Sequence, residues 1–209
     1  MKNRFAAFAV TSLGLAMLGT PAFAGSHTWD VSEIFSSADG TVQFIELTEC
    51  CGGPGEVNVG GHQVTSGSSS FIIPSNVAAP TSNRSILFAT QAFADLPGAP
   101  TPDHIIVENF FSIAADTISY TPWDTFAFGA GQLPTDGVNS LFDGGSTGVN
   151  SPTNYAGETG SVVVPPDCPW DFDAGGSVNI SDLLTLLGNW GNPWGIVDLL
   201  ALLADWGPC

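Results

Sequence analysis

The fold class of this 209-residue sequence is indicated most clearly by the run Val42-Gln43-Phe44-Ile45-Glu46-Leu47. At the end of the run the side chains alternate, with Ile45 and Leu47 on one side of an extended chain and Glu46 on the other. Alternation of this kind is typical of a β-strand with one face against a hydrophobic core. The run therefore predicts a half-buried strand.

Short apolar segments like this one recur between turn clusters as far as residue 164. Leu, Glu and Lys are sparse before residue 180, whereas the whole chain has 25 Gly and 15 Pro, a composition of strands and turns. We therefore predict a mainly β fold, with an antiparallel β-sandwich over residues 25–164, here called the β region. The other predicted strands are residues 31–35, 57–64, 71–73, 86–90, 105–107, 125–128 and 161–164.

Five segments of the β region resemble the lamin-tail-like domain, an immunoglobulin-like sandwich of secreted bacterial proteins. The segments follow one another in the order and with the rough spacing of that domain, although the loop with Cys50 and Cys51 departs from its pattern. They are Val31-Ser32-Glu33-Ile34, Phe44-Ile45-Glu46-Leu47, Val57-Asn58-Val59-Gly60-Gly61, Phe71-Ile72-Ile73-Pro74 and Ile86-Leu87-Phe88-Ala89. The resemblance implies the same sandwich architecture.

Residues 1–24 have the parts of a secretory signal peptide. Lys2 and Arg4 precede an apolar run over residues 5–18, and Ala22-Phe23-Ala24 places small residues at a cleavage site. A membrane anchor is the alternative, but the run is shorter than the ~20 residues that span a bilayer. We expect cleavage after Ala24, no membrane span after it, and a secreted or cell-surface protein.

The charge of the chain excludes some partners. The sequence has 3 Lys or Arg against 20 Asp or Glu, and cleavage after Ala24 would leave Arg84 as its one remaining Lys or Arg. A surface so poor in cations repels phosphate groups, so we expect no binding to nucleic acid. Cations are the favoured small partners, and solubility alone is the plainer explanation of the charge.

The 4 cysteines of an exported chain can form disulfides. Three pairings are possible. We favour a bridge between Cys168 and Cys209, because these residues bracket a segment too small to bury much core. Cys50 and Cys51 are neighbours, and they either bond to each other, stay reduced or divide between other partners.

A repeat follows Pro165 and Pro166, which we assign with residue 167 to a linker, leaving residues 168–209 as a C-terminal module. Residues 180–191 return in similar form as 196–207, and each copy has apolar residues at helical spacing. We predict two short helices whose apolar stripes face each other and form one shared core, with Trp190 and Trp206 at equivalent ends. The stripes are Ile180, Leu183, Leu184 and Leu187 in one helix and Ile196, Leu199, Leu200 and Leu203 in the other.

Residues 171–182 have the pattern of a calcium loop. Such a 12-residue loop places oxygen ligands at positions 1, 3, 5, 7, 9 and 12 and a glycine, here Gly176, at position 6. The predicted ligands are the side chains of Asp171, Asp173, Asn179 and Asp182 and the backbone carbonyl of Ser177. The alternative is that the acidic residues form turns and cap helices in a metal-free hairpin.

The duplicated loop and helix resemble the type I dockerin, whose loops also close with Asp. This resemblance implies calcium as a cofactor and a cohesin-like protein as a partner. The sequence departs from the pattern at Gly175, where a third acid is usual, and at residues 191–195, which offer no carboxylate before Asp198. We therefore expect at most one calcium ion.

Three functions remain open at this point. The first is an exported, non-enzymatic binding protein whose C-terminal module docks it to a cohesin-like partner or an extracellular polysaccharide. The second is a small carbohydrate-active enzyme, for which Glu33, Glu46, Glu49 and Glu108 are candidate carboxylates. The third is a purely structural surface protein. His27, His62 and His104 are scattered in the sequence, and we expect each at the surface without a catalytic role.

Overall fold

The computed structural model describes residues 25–67, 69–164, 168–173 and 176–208. The predicted signal peptide, the linker 165–167 and Cys209 lie outside these residues. Within them the chain is mainly β, as predicted. The described helices are all too short or too polar to cross a membrane.

The elements are numbered in chain order. The strands are β1 (Trp29–Ser36), β2 (Gln43–Glu49), β3 (Gln63–Thr65), β4 (Ser70–Ile72), β5 (Ser85–Thr90), β6 (His104–Ile106), β7 (Asp116–Thr121), β8 (Asp124–Phe128), β9 (Asn139–Phe142), β10 (Thr147–Val149), β11 (Ser177–Val178) and β12 (Gly207–Pro208). The helices are α1 (Gln91–Ala94), α2 (Ile180–Gly188) and α3 (Ile196–Ala204).

The β region contains a six-stranded sheet, in the order β10-β9-β1-β2-β5-β6, and a four-stranded sheet, in the order β4-β3-β7-β8. Both sheets contribute to one hydrophobic cluster, because alternate residues of their strands point towards it. Ile34, Ile45, Leu47 and Phe88 come from the larger sheet, and Val64, Ile118, Tyr120 and Phe126 come from the smaller one. The predicted burial of Ile45 and Leu47 is confirmed.

The strand pairings are antiparallel apart from β5 and β6, which run parallel. A parallel pair needs a crossover, and α1 begins it directly after β5. The hydroxyl of Thr90 accepts a hydrogen bond from the backbone N–H of Phe93, which caps α1 and turns the chain away from the sheet. The sequence pattern did not predict this parallel edge.

Two of the predicted strands are wrong in part or whole. Of residues 57–64 only the last two belong to a strand, because Gly61 has a φ of +86°, which turns the chain before β3. Residues 161–164 are not a strand either. Val162 is instead fully buried against the second face of the six-stranded sheet, beside Phe35 and Phe44.

A segment of residues 150–164, here called the strap, covers that second face. The backbone N–H of Ser151 donates to Oε1 of Glu33 at 2.8 Å, and the N–H of Thr153 donates to Oε2 of Glu46 at 2.8 Å. Glu33 and Glu46 lie directly opposite each other on β1 and β2. The strap leaves Glu46 only 7% exposed, so the prediction that this strand is half-buried is wrong: both of its faces are covered.

The C-terminal module has the two predicted helices, but its core is not the one we expected. Its fully buried hydrophobic side chains, among the described residues, are Val178, Leu186 and Leu202, with the partly buried Leu183 and Leu199 packed against them. Trp170, Phe172 and Trp194 complete this small cluster from the loops. The predicted stripes turn most of their residues outwards, because the helices pack through a neighbouring row of leucines.

Candidate calcium site and exposed helical surface

Three of the predicted calcium ligands meet in the folded module. One carboxylate oxygen from each of Asp171, Asp173 and Asp182 can be chosen so that these oxygens lie within 4.8 Å of one another. Gly176 has a φ of +76°, and its backbone N–H donates to Oδ2 of Asp171 at 2.8 Å. The glycine turn thus folds the loop back on its first acid, which brings charges of one sign together around a point that suits a hard cation.

Asp182 links this loop to α2. Its Oδ1 accepts the backbone N–H of Phe172 at 2.7 Å, and its Oδ2 accepts the N–H of Asn179 at 2.9 Å. The side chain has no accessible surface. Although desolvation acts in the opposite direction, these N–H donors hold the pKa of Asp182 below its ordinary value. The carboxylate is therefore charged at neutral pH, as a calcium ligand must be.

Ser177 and Asn179 have other hydrogen bonds in this structure. Oδ1 of Asn179 accepts the backbone N–H of Ser181 at 2.8 Å, so the side chain caps α2. Its Nδ2 donates to the carbonyl oxygen of Ser177 at 3.0 Å. The structure therefore brings the three aspartates together, while these two predicted ligands are engaged with the helix cap and with each other.

The second repeat retains the cap without the loop acids. The backbone N–H of Gly195 donates to Oδ2 of Asp198 at 2.8 Å, in the same way that Asn179 donates to Asp182. Gly195 replaces Asn179 as the N-cap residue, so no capping side chain is available there. Among the residues that the structure describes, one group of three potential ligands is present, in the first repeat.

An exposed apolar surface covers both helices of the module. Nine of the fifteen exposed large hydrophobic side chains of the described residues lie between positions 180 and 206. In each helix three of them are spaced by four and then three residues, which places them on one face. We call these six residues the exposed helical surface: Ile180, Leu184 and Leu187 on α2, and Ile196, Leu200 and Leu203 on α3.

Contiguous exposed apolar patches are uncommon on monomeric proteins and occur at sites of interaction. Leu184 and Leu200 are each 61% exposed, and Trp190 and Trp206, which follow the two helices, are about half exposed. The repeat that is visible in the sequence is thus a repeat of surface residues as well as of buried ones.

Among the candidate carboxylates, Glu33 and Glu46 form a buried pair. Desolvation raises the pKa of Glu46 to about 7, and it raises the pKa of Glu33 as well. The two residues lie opposite each other on β1 and β2, but the strap lies over their carboxylates. A substrate would have to displace Ser151 and Thr153 to reach either group.

Glu49 has a structural role in the loop that carries the disulfide. Cys50 and Cys51 are bonded to each other, which settles the alternatives that the sequence left open for them. Glu49 Oε1 accepts the backbone N–H groups of Cys51 and Gly53, and Oε2 accepts that of Gly52. Cys168 is also disulfide-bonded, but Cys209 lies outside the described residues, so their pairing stays a prediction.

We expect Glu49→Gln to lower the free energy of unfolding by about 2 kcal/mol or more, because an amide nitrogen would face backbone N–H donors in a site that is 1% exposed. Urea unfolding at neutral pH measures this change. The matched control is Glu108→Gln, which alters a solvent-exposed glutamate and should leave stability within about 0.5 kcal/mol of the unsubstituted chain. Equal effects of the two substitutions would contradict a structural role for Glu49.

The histidines are less scattered in space than in sequence. The rings of His27 and His62 both contact Trp123, with centroids 6.0 and 6.2 Å apart. His104 is only partly exposed, because its ring packs against Phe71 and Phe88, and burial lowers its pKa. His27 remains on the surface, with its side chain 60% exposed.

We compared the chain with protein-family models, curated proteins and solved structures. No protein-family model, curated protein or solved structure matches the chain.

Proposed function

We propose that the protein is an exported, non-enzymatic binding or structural protein whose C-terminal module holds one calcium ion and docks to a protein partner at the cell exterior. The β region is then a β-sandwich that the module attaches to that partner. The observation that carries the proposal is the exposed helical surface beside a cluster of three aspartates.

Exposure of the helical surface supports docking because, among the residues that the structure describes, an apolar row on each helix is left open to solvent. Hydrophobic side chains of the size of Ile180 or Leu184 gain ~1.5–3 kcal/mol each when they are fully buried. A partner that covers both helices would therefore gain much of its affinity from this surface. Since residues 168–173 and 176–208 contain acids and no Lys or Arg, a partner with basic residues around an apolar face fits best.

In the proposed function, a bound calcium ion would hold the loop and α2 together. Asp171, Asp173 and Asp182 join the loop to the first turn of α2, so an ion bound between them would fix that helix relative to the loop. Neutralising these charges would also reduce their mutual repulsion. Calcium would therefore order the surface that docks.

The alternative of a carbohydrate-active enzyme rests on Glu33 and Glu46. Polysaccharide cleavage needs both carboxylates at the surface of a cleft that accommodates a sugar chain. Hydrogen bonds from Ser151 and Thr153 occupy these carboxylates instead. This geometry favours the binding function over the enzymatic one.

The docking surface is tested with the double substitution Leu184→Asp/Leu200→Asp in the chain 25–209. Isothermal titration against purified type I cohesin modules, with calcium present, should show binding by the unsubstituted chain. The double variant should bind at least about a hundredfold more weakly, because charge replaces two central apolar contacts.

The matched control is Ile72→Asp, which places the same charge on an exposed apolar residue of β4, outside the module. This control should bind as the unsubstituted chain does. Binding of the double variant with unchanged affinity, or failure of the unsubstituted chain to bind any cohesin module, would contradict the docking proposal.

A further inference from the structure

We propose that the exported chain carries a second metal site, specific for Cu(II) or Ni(II), at the amino terminus that signal-peptide cleavage would create. The inference rests on the proposed export, with cleavage after Ala24, and it is independent of the calcium loop. The mature chain would then begin Gly25-Ser26-His27. A histidine in third position is the feature that makes this terminus a chelator.

The donors of this site are four nitrogens. A free α-amino group on Gly25, the backbone nitrogens of Ser26 and His27, and Nδ1 of the His27 imidazole can surround one ion in a plane. Square-planar nitrogen coordination is characteristic of Cu(II) and Ni(II), and imidazole suits both metals. Binding expels one proton from the α-ammonium group and one from each of the two amide nitrogens, and the oxidation state of the metal does not change.

The structure already folds His27 back towards Gly25. A Cβ atom placed on Gly25 would lie only 2.7 Å from Nδ1 of His27. The imidazole therefore approaches the first residue closely, as a chelate ring closed between residues one and three requires. No residue with a side chain could stand at position 25 without moving this ring.

Two of the proposed donors point to one place. Oε2 of Glu56 lies 2.9 Å from the backbone nitrogen of His27 and 3.2 Å from its Nδ1. The same hypothetical Cβ on Gly25 would be 2.7 and 2.8 Å from the two oxygens of Glu56. Two nitrogens of His27 thus lie beside a carboxylate that also approaches Gly25, and its negative charge favours a divalent cation there.

The fold fixes this terminus on both sides. The backbone N–H of Asn58 donates to the carbonyl oxygen of Gly25 at 3.0 Å, and Ser26 is buried with its hydroxyl 3.0 Å from Nε2 of His62. His27 nonetheless keeps its side chain 60% exposed, so an ion can reach it. The arrangement is pre-organised, which reduces the ordering cost of chelation.

Trp123 provides a spectroscopic reporter for the site. The ring centroid of His27 lies 6.0 Å from that of Trp123, and bound Cu(II) at this distance should quench the indole fluorescence. Ca²⁺ prefers oxygen ligands and should neither occupy this site nor displace Cu(II) from it.

The experiment titrates CuCl₂ and NiCl₂ into the purified chain 25–209 at neutral pH, in the presence of calcium. We expect one equivalent of Cu(II) to give the visible absorption band of a square-planar four-nitrogen complex, together with quenching of Trp123 fluorescence. Trp123→Phe should keep the absorption band and lose most of the quenching. Absence of the band at one equivalent would overturn the proposal.

Two matched variants test the donor set. His27→Ala removes the imidazole, and a chain extended by Ala24 moves His27 to the fourth position without changing any residue of the fold. Each should reduce Cu(II) affinity by at least about a hundredfold, equivalent to about 2.7 kcal/mol. Unchanged binding in either variant would show that copper occupies another site and would overturn the proposal.

The intact mass of the exported protein shows whether cleavage occurs after Ala24. It therefore distinguishes a terminus that does not bind copper from a chain that does not begin at Gly25. A mass that corresponds to a chain starting at Gly25 supports the existence of the site in the natural protein. Any other terminus would overturn it, whatever the purified chain 25–209 binds. The double variant Asp171→Ala/Asp173→Ala should bind Cu(II) with unchanged affinity. The copper site can therefore be tested even if the loop does not bind calcium.

Discussion

Glu46→Gln should stabilise the protein at about pH 8 by up to about 3 kcal/mol, since a folded-state pKa of about 7 against an ordinary 4.5 means that ionisation destabilises the fold. Glu46 is 7% exposed and lies opposite Glu33, whose charge adds to the unfavourable effect of desolvation. A glutamine removes the charge and retains an oxygen that can accept the backbone N–H of Thr153. The substitution should therefore keep the strap in place.

The sign of the pH dependence follows from proton counts. Between the unfolded pKa of 4.5 and the folded pKa of about 7, the folded state holds the proton on Glu46 and the unfolded state has lost it. The stability contributed by this proton is fully present below about pH 4.5 and is lost as the pH rises through about 7. Glu33, with its pKa also raised by desolvation, acts in the same direction.

Urea unfolding at about pH 4 and about pH 8 measures this difference for the Glu46→Gln variant and the unsubstituted chain. The two proteins should be similar at the lower pH and differ at the higher one. The exposed Glu108→Gln substitution is the control and should follow the unsubstituted chain at both. A variant that is no more stable than the unsubstituted chain at the higher pH would rule out a buried, ionising Glu46.

Saturating calcium should stabilise the C-terminal module by about 2.7 kcal/mol when its concentration is a hundredfold above the dissociation constant. Asp171→Ala/Asp173→Ala should abolish this stabilisation, because it removes two of the three carboxylates that meet in the loop. Thermal unfolding followed by helical circular dichroism, with calcium or with a chelator, measures it.

The control for this prediction is Asp205→Ala, which removes an exposed carboxylate after α3, outside the loop. That variant should retain the calcium response of the unsubstituted chain. If the double variant still gained stability from calcium, the ion would be bound elsewhere, and the loop would be a metal-free turn and helix cap.

The sequence predicted elements whose evidence is local. Alternation around Ile45 identified β2, and the repeat identified α2 and α3, because both patterns depend on residues close in the chain. The meeting of the three aspartates was also predictable, since a 12-residue loop with a glycine at position six fixes their spacing.

Nonlocal contacts account for what the sequence did not predict. The burial of Glu46 depends on Thr153, which is more than a hundred residues away in the sequence. The residues in and around β2 do not indicate this contact. The parallel pairing of β5 and β6 likewise depends on a crossover connection. The secondary-structure propensities of neighbouring residues do not specify the direction of that connection.

The helical surface was misassigned for a different reason. Periodicity shows that Leu184 and Leu187 share a face, but Leu183 and Leu186 form a second apolar row beside them. A helix with two such rows has one for its own core and one for another surface. The doubled row is the signal in the sequence that could have indicated an exposed apolar face, and the structure distinguishes the rows by burying Leu186 and exposing Leu184.

Calorimetric titration of calcium into the chain 25–209 measures directly whether the C-terminal module binds the ion. We expect saturable binding of one ion per chain, lost in Asp171→Ala/Asp173→Ala, which would place calcium in the loop before α2. The absence of saturable heat, with unchanged helicity on addition of calcium, would contradict the proposed calcium site and leave the module as a metal-free helical hairpin.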